Sequence, residues 1–304
     1  MKSVKERIFE FVHYHIAGDG ECNNVVLRSW AENHGLDLQQ KYELAYFFSV
    51  TYCVESAIIL FENRFELFKD ISSWIKANKA NLLFQSDRKY VRMRDSFERC
   101  IKYFAEKISS ASAFVENVSE NGKIVLRKAI PYVSSWEMFG RFSAFLFLET
   151  FVELTGIEAE NATIVWKDGN TATSGLLNVY GYDKQADDFD KSRRLSLSSE
   201  KMNDMLKTLL RFISSSGGDA NVTKVETSLC AYRKFYKGSR YNGYYLDRML
   251  EEIILLKDSH PEISNELLEI RRKNFNWKYL GEIGGWNGIR RELKKAYKET
   301  GIIT

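Results

Sequence analysis

The sequence predicts a mainly α-helical protein carrying at most one short irregular or β segment. Two observations support this. Apolar residues recur at helical spacing over most of the chain. Only two prolines interrupt its 304 residues, and proline is what an interior helical turn tolerates least. The length suffices for one large core or two modest ones.

Residues 3–17 place Val4, Ile8, Val12 and Ile16 four apart, with Phe9 and Phe11 beside them. This is an amphipathic helix that "AGDGE" ends. A short helix over 23–34 stops at "HGLD", a long buried one is expected over 39–63, and others over 64–79 and 93–113. "VSENGKIVLR" then changes character. Asn121-Gly122 is a turn signal, and "KIVLR" is a short strand or an extended link. A lobe boundary is placed near 120, giving an N-terminal helical lobe (1–120) and a second lobe (121–304), unless the two interleave as one domain. The hairpin region 131–156 closes with Gly156 as C-cap. Ser198 or Ser199 caps a helix to about 214, with Glu200 in its first turn. Helices resume over 223–237, 244–258, 261–273 and 287–299.

The net charge of +3 does not by itself demand a polyanionic partner, but its distribution is uneven. Residues 231–304 hold fifteen Lys/Arg against ten Asp/Glu. Within them, "AYRKFYKGSRYNGYYL" sets Arg233, Lys234, Lys237 and Arg240 among six aromatics with no acid. Cations interleaved with stacking rings suit nucleic acid; a solvated basic face over an aromatic core edge is the other reading. "DRKYVRMR", with Arg88 and Lys89, is a second basic patch. Cys22, Cys53, Cys100 and Cys230 are far apart and form no CxxC pair, as expected of reduced thiols. No Cys/His cluster suggests zinc and no P-loop pattern suggests nucleotide hydrolysis. No metal and no cofactor is expected. The N-terminus has no signal-peptide core and no apolar run reaches membrane-spanning length, so a cytoplasmic protein without membrane association is expected.

Two neighbouring stretches carry the most chemistry. In "WEMFGRFSAFLF", the helix after Gly140 sets Phe142, Phe145, Leu146 and Glu149 on one face, so Glu149 is an acid on an apolar stripe. Such a carboxyl either has a raised pKa or is paired at the core edge. About twenty residues on, "WKDGN" presents Asp168, Gly169 and Asn170, which is also an ordinary Asp-Gly turn.

Segment 136–144 resembles the turn of helix-hairpin-helix DNA glycosylases, whose pattern is apolar-Pro-Gly-apolar-Gly-x-x-Thr-Ala. Gly140, Phe139, Ser143 and Ala144 match it, while Met138 replaces the first Gly and Glu137 the Pro. In that family the turn binds a phosphate through backbone N–H groups at a helix start, anchoring a duplex without reading bases. The hairpin helix there leads to an Asp-x-Asn loop, which Asp168-Gly169-Asn170 resembles at a longer spacing. The implied fold is a glycosylase-like helical bundle.

"FGRFSAFLFLETFVELTG", "DGNTATSGLLNVYG" and "VETSLCAYRKFYKGSRYNGYYLDRMLEEI" resemble the phage amino acid:DNA transferase family, related to the α-glutamyl/putrescinyl-thymine pyrophosphorylases. "YFFSVTYCVESAIILF" and "LFQSDRKYVRMRD" fit the same family, so the resemblance spans roughly 40–250. It implies joining of an amino acid or polyamine nitrogen to the 5-methylene of phosphorylated or pyrophosphorylated 5-hydroxymethyluracil in double-stranded phage DNA, in the cytoplasm of the infected bacterial host. Phosphate or pyrophosphate leaves.

That chemistry needs cations for the leaving anion, a base for the ammonium nucleophile and access to an extruded nucleotide. Candidates for the first are Arg193, Arg194 and the Arg233–Arg240 set. Asp168 and then Glu149 are the candidate bases, with Asn170 beside them. Arg141 could bind a substrate carboxylate or a DNA phosphate. Trp136, Trp166, Tyr180 and Tyr182 are candidate stacking rings, or core residues. A DNA glycosylase using Asp168, or a helical nucleic-acid-binding protein without catalysis, are the competing readings.

Overall fold

A computed structural model describes residues 2–85, 88–92, 95–160 and 171–275; the side chain of Lys89 is outside that description. Among the described residues the protein is mainly α-helical. The helices are α1 (Val4–Ile16), α2 (Cys22–Asn33), α3 (Leu38–Thr51), α4 (Val54–Glu62), α5 (Arg64–Lys69), α6 (Ile71–Asn78), α7 (Lys89–Arg92), α8 (Ser96–Lys107) and α9 (Ala111–Val118). After a two-stranded hairpin, β1 (Ser119–Glu120) and β2 (Lys123–Ile124), come α10 (Leu126–Ser134), α11 (Arg141–Thr155), α12 (Thr171–Val179) and α13 (Asp183–Ser192). The last four are α14 (Ser199–Ser215), α15 (Val222–Tyr236), α16 (Tyr244–Leu256) and α17 (Pro261–Asn274). The expected helix over 287–299 lies outside the described residues.

Local chemistry sets several of these ends. Ser3 and Glu6 form a reciprocal capping box on α1, and Asp37 and Gln40 one on α3. Ser198 caps α14 by accepting from Lys201 N at 3.2 Å. Gly156 ends α11 at φ 71°, the left-handed conformation that costs glycine nothing. Asn121 and Gly122, at φ 51° and 76°, make the tight β1–β2 turn.

The long helix expected over 39–63 is two. Tyr52 takes a left-handed conformation (φ 54°) and Cys53 is extended, which separates α3 from α4. Asp70 likewise divides 64–79 by leaving the helix and capping Ser73 N at 3.1 Å. The helix expected over 93–113 ends at Lys107, and Ser110 caps a fresh start at α9.

The chain divides into two compact units. One holds the described residues of Met1–Cys22, Asn161–Asp247 and Phe275–Thr304, and the other Asn23–Glu160 with Arg248–Asn274. The first has a core of Phe11, Tyr14, Leu176, Phe189, Leu209 and Tyr232 among others. In it α12 packs on α15 so closely that a Cβ on Gly175 would lie 2.2 Å from the Leu229 carbonyl oxygen. The second is centred on an aromatic cluster in which Tyr42, Tyr46, Phe114, Trp136, Phe139, Phe147 and Phe151 meet edge-on, tilted or stacked. Each such pair adds about 0.5–1.5 kcal/mol beyond its burial.

Candidate active site

In the second unit, α10 and α11 form a helical hairpin around Ser135–Gly140. The turn is held by Trp136 N donating to Val133 O at 3.1 Å and Phe139 N to Trp136 O at 3.0 Å. Met138 sits at φ 61°. It therefore adopts the left-handed backbone at the position where the hairpin pattern has its first glycine, at a cost of about 1 kcal/mol or more for a residue with a Cβ. Gly140 precedes α11 as its N-cap, is exposed, and has open space where a Cβ would lie.

The first turn of α11 has no acid. Arg141 is half-buried and Phe142 half-exposed. Ser143 is buried and accepts a hydrogen bond from Arg88, itself only 6% exposed. Arg88 also donates to Val50 O at 3.3 Å and lies over the Phe139 ring at 5.7 Å. One guanidinium thus joins the end of α3, the hairpin turn and the start of α11. The Phe142 ring meets Tyr52 edge-on at 5.7 Å. Lys89 follows Arg88 as the first residue of α7.

Glu149 lies on the third turn of α11 and is buried, 4% exposed. Its neighbour one turn on, Glu153, is paired to Arg28 at 2.5 Å. Asp168, Asn170 and Trp166 lie outside the described residues. Trp136 is buried within the aromatic cluster, against Phe139 and Phe147. Its ring is core, the alternative that the sequence left open.

The first unit contains the other candidates. Arg233, on α15, is 3% exposed. It donates to Asp190 Oδ2 (3.1 and 2.5 Å), Asp187 Oδ1 (2.7 Å) and Asn178 Oδ1 (2.5 Å). Asn178 is fully buried, and its carbonyl accepts from Arg7 at 3.1 Å while its amide donates to Asp183 at 2.7 Å. Arg7 pairs with Asp183 at 2.8 Å, and Tyr236 donates to the same carboxylate at 3.2 Å. Ser174 donates to Asp190. Lys237 pairs with Asp187 at 2.6 Å. Hydrogen bonds from Lys237 and Arg233 hold the Asp187 carboxyl down to about 2. Arg233 therefore spends its charge on tying α12, α13 and α15 together, and does not offer it to solvent.

Asp183, Asp187 and Asp190 recur at i, i+4 and i+7, one face of α13. That spacing, opposite a basic stretch, was the signal that could have found these partners. Lys234 is half-buried, and its carbonyl accepts from Ser239 N and Arg240 N. Arg240 lies over Tyr244 and Tyr245 at 4.5 and 4.7 Å and donates to the Tyr245 hydroxyl. Arg193 and Arg194 are exposed, Arg193 as the left-handed C-cap of α13. Tyr180 is half-buried and donates to Met205 O at 2.7 Å; burial pushes its hydroxyl up to about 12. Tyr182 is half-buried against the core.

Asp19 is a buried carboxylate that sequence reasoning did not single out. From the link between α1 and α2 it accepts from Tyr245 N at 3.0 Å and Leu246 N at 3.1 Å, and so caps the start of α16. Tyr14 donates to its other oxygen at 3.4 Å. Burial raises it to about 7 against the pull of those backbone N–H groups.

A family model for amino acid:DNA transferases matches residues 35–241, well over half of the chain. The protein belongs to the amino acid:DNA transferase family, which makes it a transferase with DNA and an amino acid as its substrates. No curated protein matches it. The match takes in both the Arg88–Ser143 junction and the Asn178–Arg233 network; Arg7 and Asp19 lie before it. Among the described residues, no helix is long and apolar enough to cross a membrane.

Proposed function

We propose that the protein joins the nitrogen of an amino acid or polyamine to the 5-methylene carbon of phosphorylated or pyrophosphorylated 5-hydroxymethyluracil in double-stranded phage DNA. The nucleophile reaches the enzyme as an ammonium and must lose a proton before it attacks. The C–N bond then forms as the C–O bond to the phosphoryl group breaks. Phosphate or pyrophosphate departs with the electron pair, and the proton passes to a carboxylate. Asp168 is the proposed base. Glu149 is the second candidate carboxylate, and Asn170 is assigned to orienting the substrate. Arg193, Arg194, Lys234 and Arg240 meet the anionic backbone or leaving group, and Gly140 with Arg141 holds a DNA phosphate at the start of α11.

The observation that carries the reading is the hairpin itself. An open glycine N-cap follows a left-handed Met138, and the helix it starts buries Glu149 nine residues on. At 1.5 Å per residue that separates a phosphate anchor from a carboxylate by about 13 Å along one rigid helix. The target base lies within a stack, so extrusion of the nucleotide is part of the proposal.

The test is incubation of the protein with phosphorylated and with pyrophosphorylated 5-hydroxymethyluracil DNA and a pool of amino acids and polyamines. Mass spectrometry of the digested nucleosides should reveal an amine adduct and identify the amine. Release of free base instead would replace the transferase by a glycosylase.

A further inference from the structure

We propose that Phe142, backed by Tyr52, is the side chain that enters the base stack of bound duplex DNA beside the extruded nucleotide. This rests on the transferase reading above and assigns a contact that the reading leaves open. Extrusion leaves a gap in the stack, and an apolar ring inserted there offsets part of the unstacking cost. Of the aromatic residues near the hairpin, Trp136 and Phe139 are buried in the core, whereas Phe142 is 50% exposed.

The ring is held in place rather than left loose. Its edge-on contact with Tyr52 is 5.7 Å between centroids, and Tyr52 is fixed at the left-handed end of α3. An isolated exposed apolar side chain needs no explanation, but Phe142 is not isolated from charge. It follows Gly140 and Arg141 on a helical turn that has no acid. The hydrogen bond from Arg88 to Ser143 ties the same turn to the segment leading into α7, which carries Tyr90 at 63% exposure and the exposed Arg92. Exposed rings among cations, next to the positive end of a helix, complement a polyanion with stacking faces. The partner that fits is DNA.

The test measures duplex binding by fluorescence anisotropy and local unstacking by a fluorescent purine analogue placed beside the target thymine position. Wild type, Phe142→Ala and Phe142→Trp are compared, with thermal melting as a check on folding; the exposed position should leave it unchanged. Phe142→Ala should weaken duplex binding by about 5- to 150-fold, as loss of one stacking contact would, and should abolish the rise in analogue emission. Phe142→Trp should keep both. If wild type binds and unstacks duplex DNA and Phe142→Ala does so equally well, the inference is wrong while the transferase reading stands. If wild type binds no duplex DNA, the reading falls and the inference with it.

Discussion

Arg88 donates a hydrogen bond to Ser143, so a guanidinium from the loop before α7 is fastened to the first turn of α11. Both residues are buried, and the same guanidinium reaches the Val50 carbonyl and the Phe139 ring. Arg88 therefore braces the hairpin turn from inside. A hydrogen bond to a buried charge contributes about 1.5–3 kcal/mol. Ser143→Ala should lower unfolding stability by that amount in urea titrations. A double-mutant cycle with Arg88→Met should return a coupling energy well above zero, because removing either partner strands the other.

The α12–α15 contact makes a sharper stability prediction. A methyl group on Gly175 would meet the Leu229 carbonyl oxygen at 2.2 Å and its carbon at 2.8 Å, both backbone atoms that no rotamer change can move. Overpacking costs about 1–3 kcal/mol in a core that can adjust, and more where it cannot. Gly175→Ala should destabilise the protein by about 3 kcal/mol or more, read as a fall in the urea midpoint. An unchanged midpoint would mean that the two helices are not in such close contact.

Asp19 should make stability depend on pH. Its folded-state value is raised to about 7 by burial, against about 3.9 for an exposed aspartate. Between those values the folded protein keeps a proton that the unfolded chain gives up. The stabilisation is complete below about pH 4 and is lost as pH rises through about 7. Asp19→Asn cannot ionise and keeps an oxygen for Tyr245 N and Leu246 N, so its melting temperature should fall less than that of wild type between about pH 5 and 8. Parallel curves would show that Asp19 does not hold its proton there.

The basic residues should separate into two classes. Arg233 is enclosed by Asp187, Asp190 and Asn178. Arg233→Gln should lower the melting temperature without changing the salt dependence of DNA binding in the protein that remains folded. Arg240 stands on a tyrosine pair outside that acid network. If it meets a DNA phosphate as proposed, Arg240→Ala should weaken binding on all sequences and reduce the slope of log K against log salt by about one. Equal slopes for wild type and Arg240→Ala would remove it from the interface.

Much of the fold could be read from the sequence because much of it is local. The Ser198 cap, the Gly156 C-cap and the Asn121-Gly122 turn each rest on a residue whose own chemistry sets its backbone. Three breaks escaped, at Tyr52, at Asp70 and between Lys107 and Ser110, each inside a stretch read as one helix. Tyr52 adopts a left-handed conformation that its side chain does not favour, in the middle of an apolar run. Asp70 ends one helix by capping the next. The second gap concerned what distant residues do to each other's charge. Arg233 looked like a solvent-facing cation in a basic stretch, and its acids arrive from 43 and 46 residues away. Asp19 reaches the start of α16 across 226 residues, a pairing that no local pattern encodes.

The most direct test of the transferase account is a single-turnover reaction in which both products are counted on the same sample. One is isotope-labelled amine joined to DNA, and the other is phosphate or pyrophosphate released. The account predicts one anion released for each amine joined, and loss of both in Asp168→Asn while duplex binding persists. Anion release without amine joined, or full activity in Asp168→Asn, would contradict it.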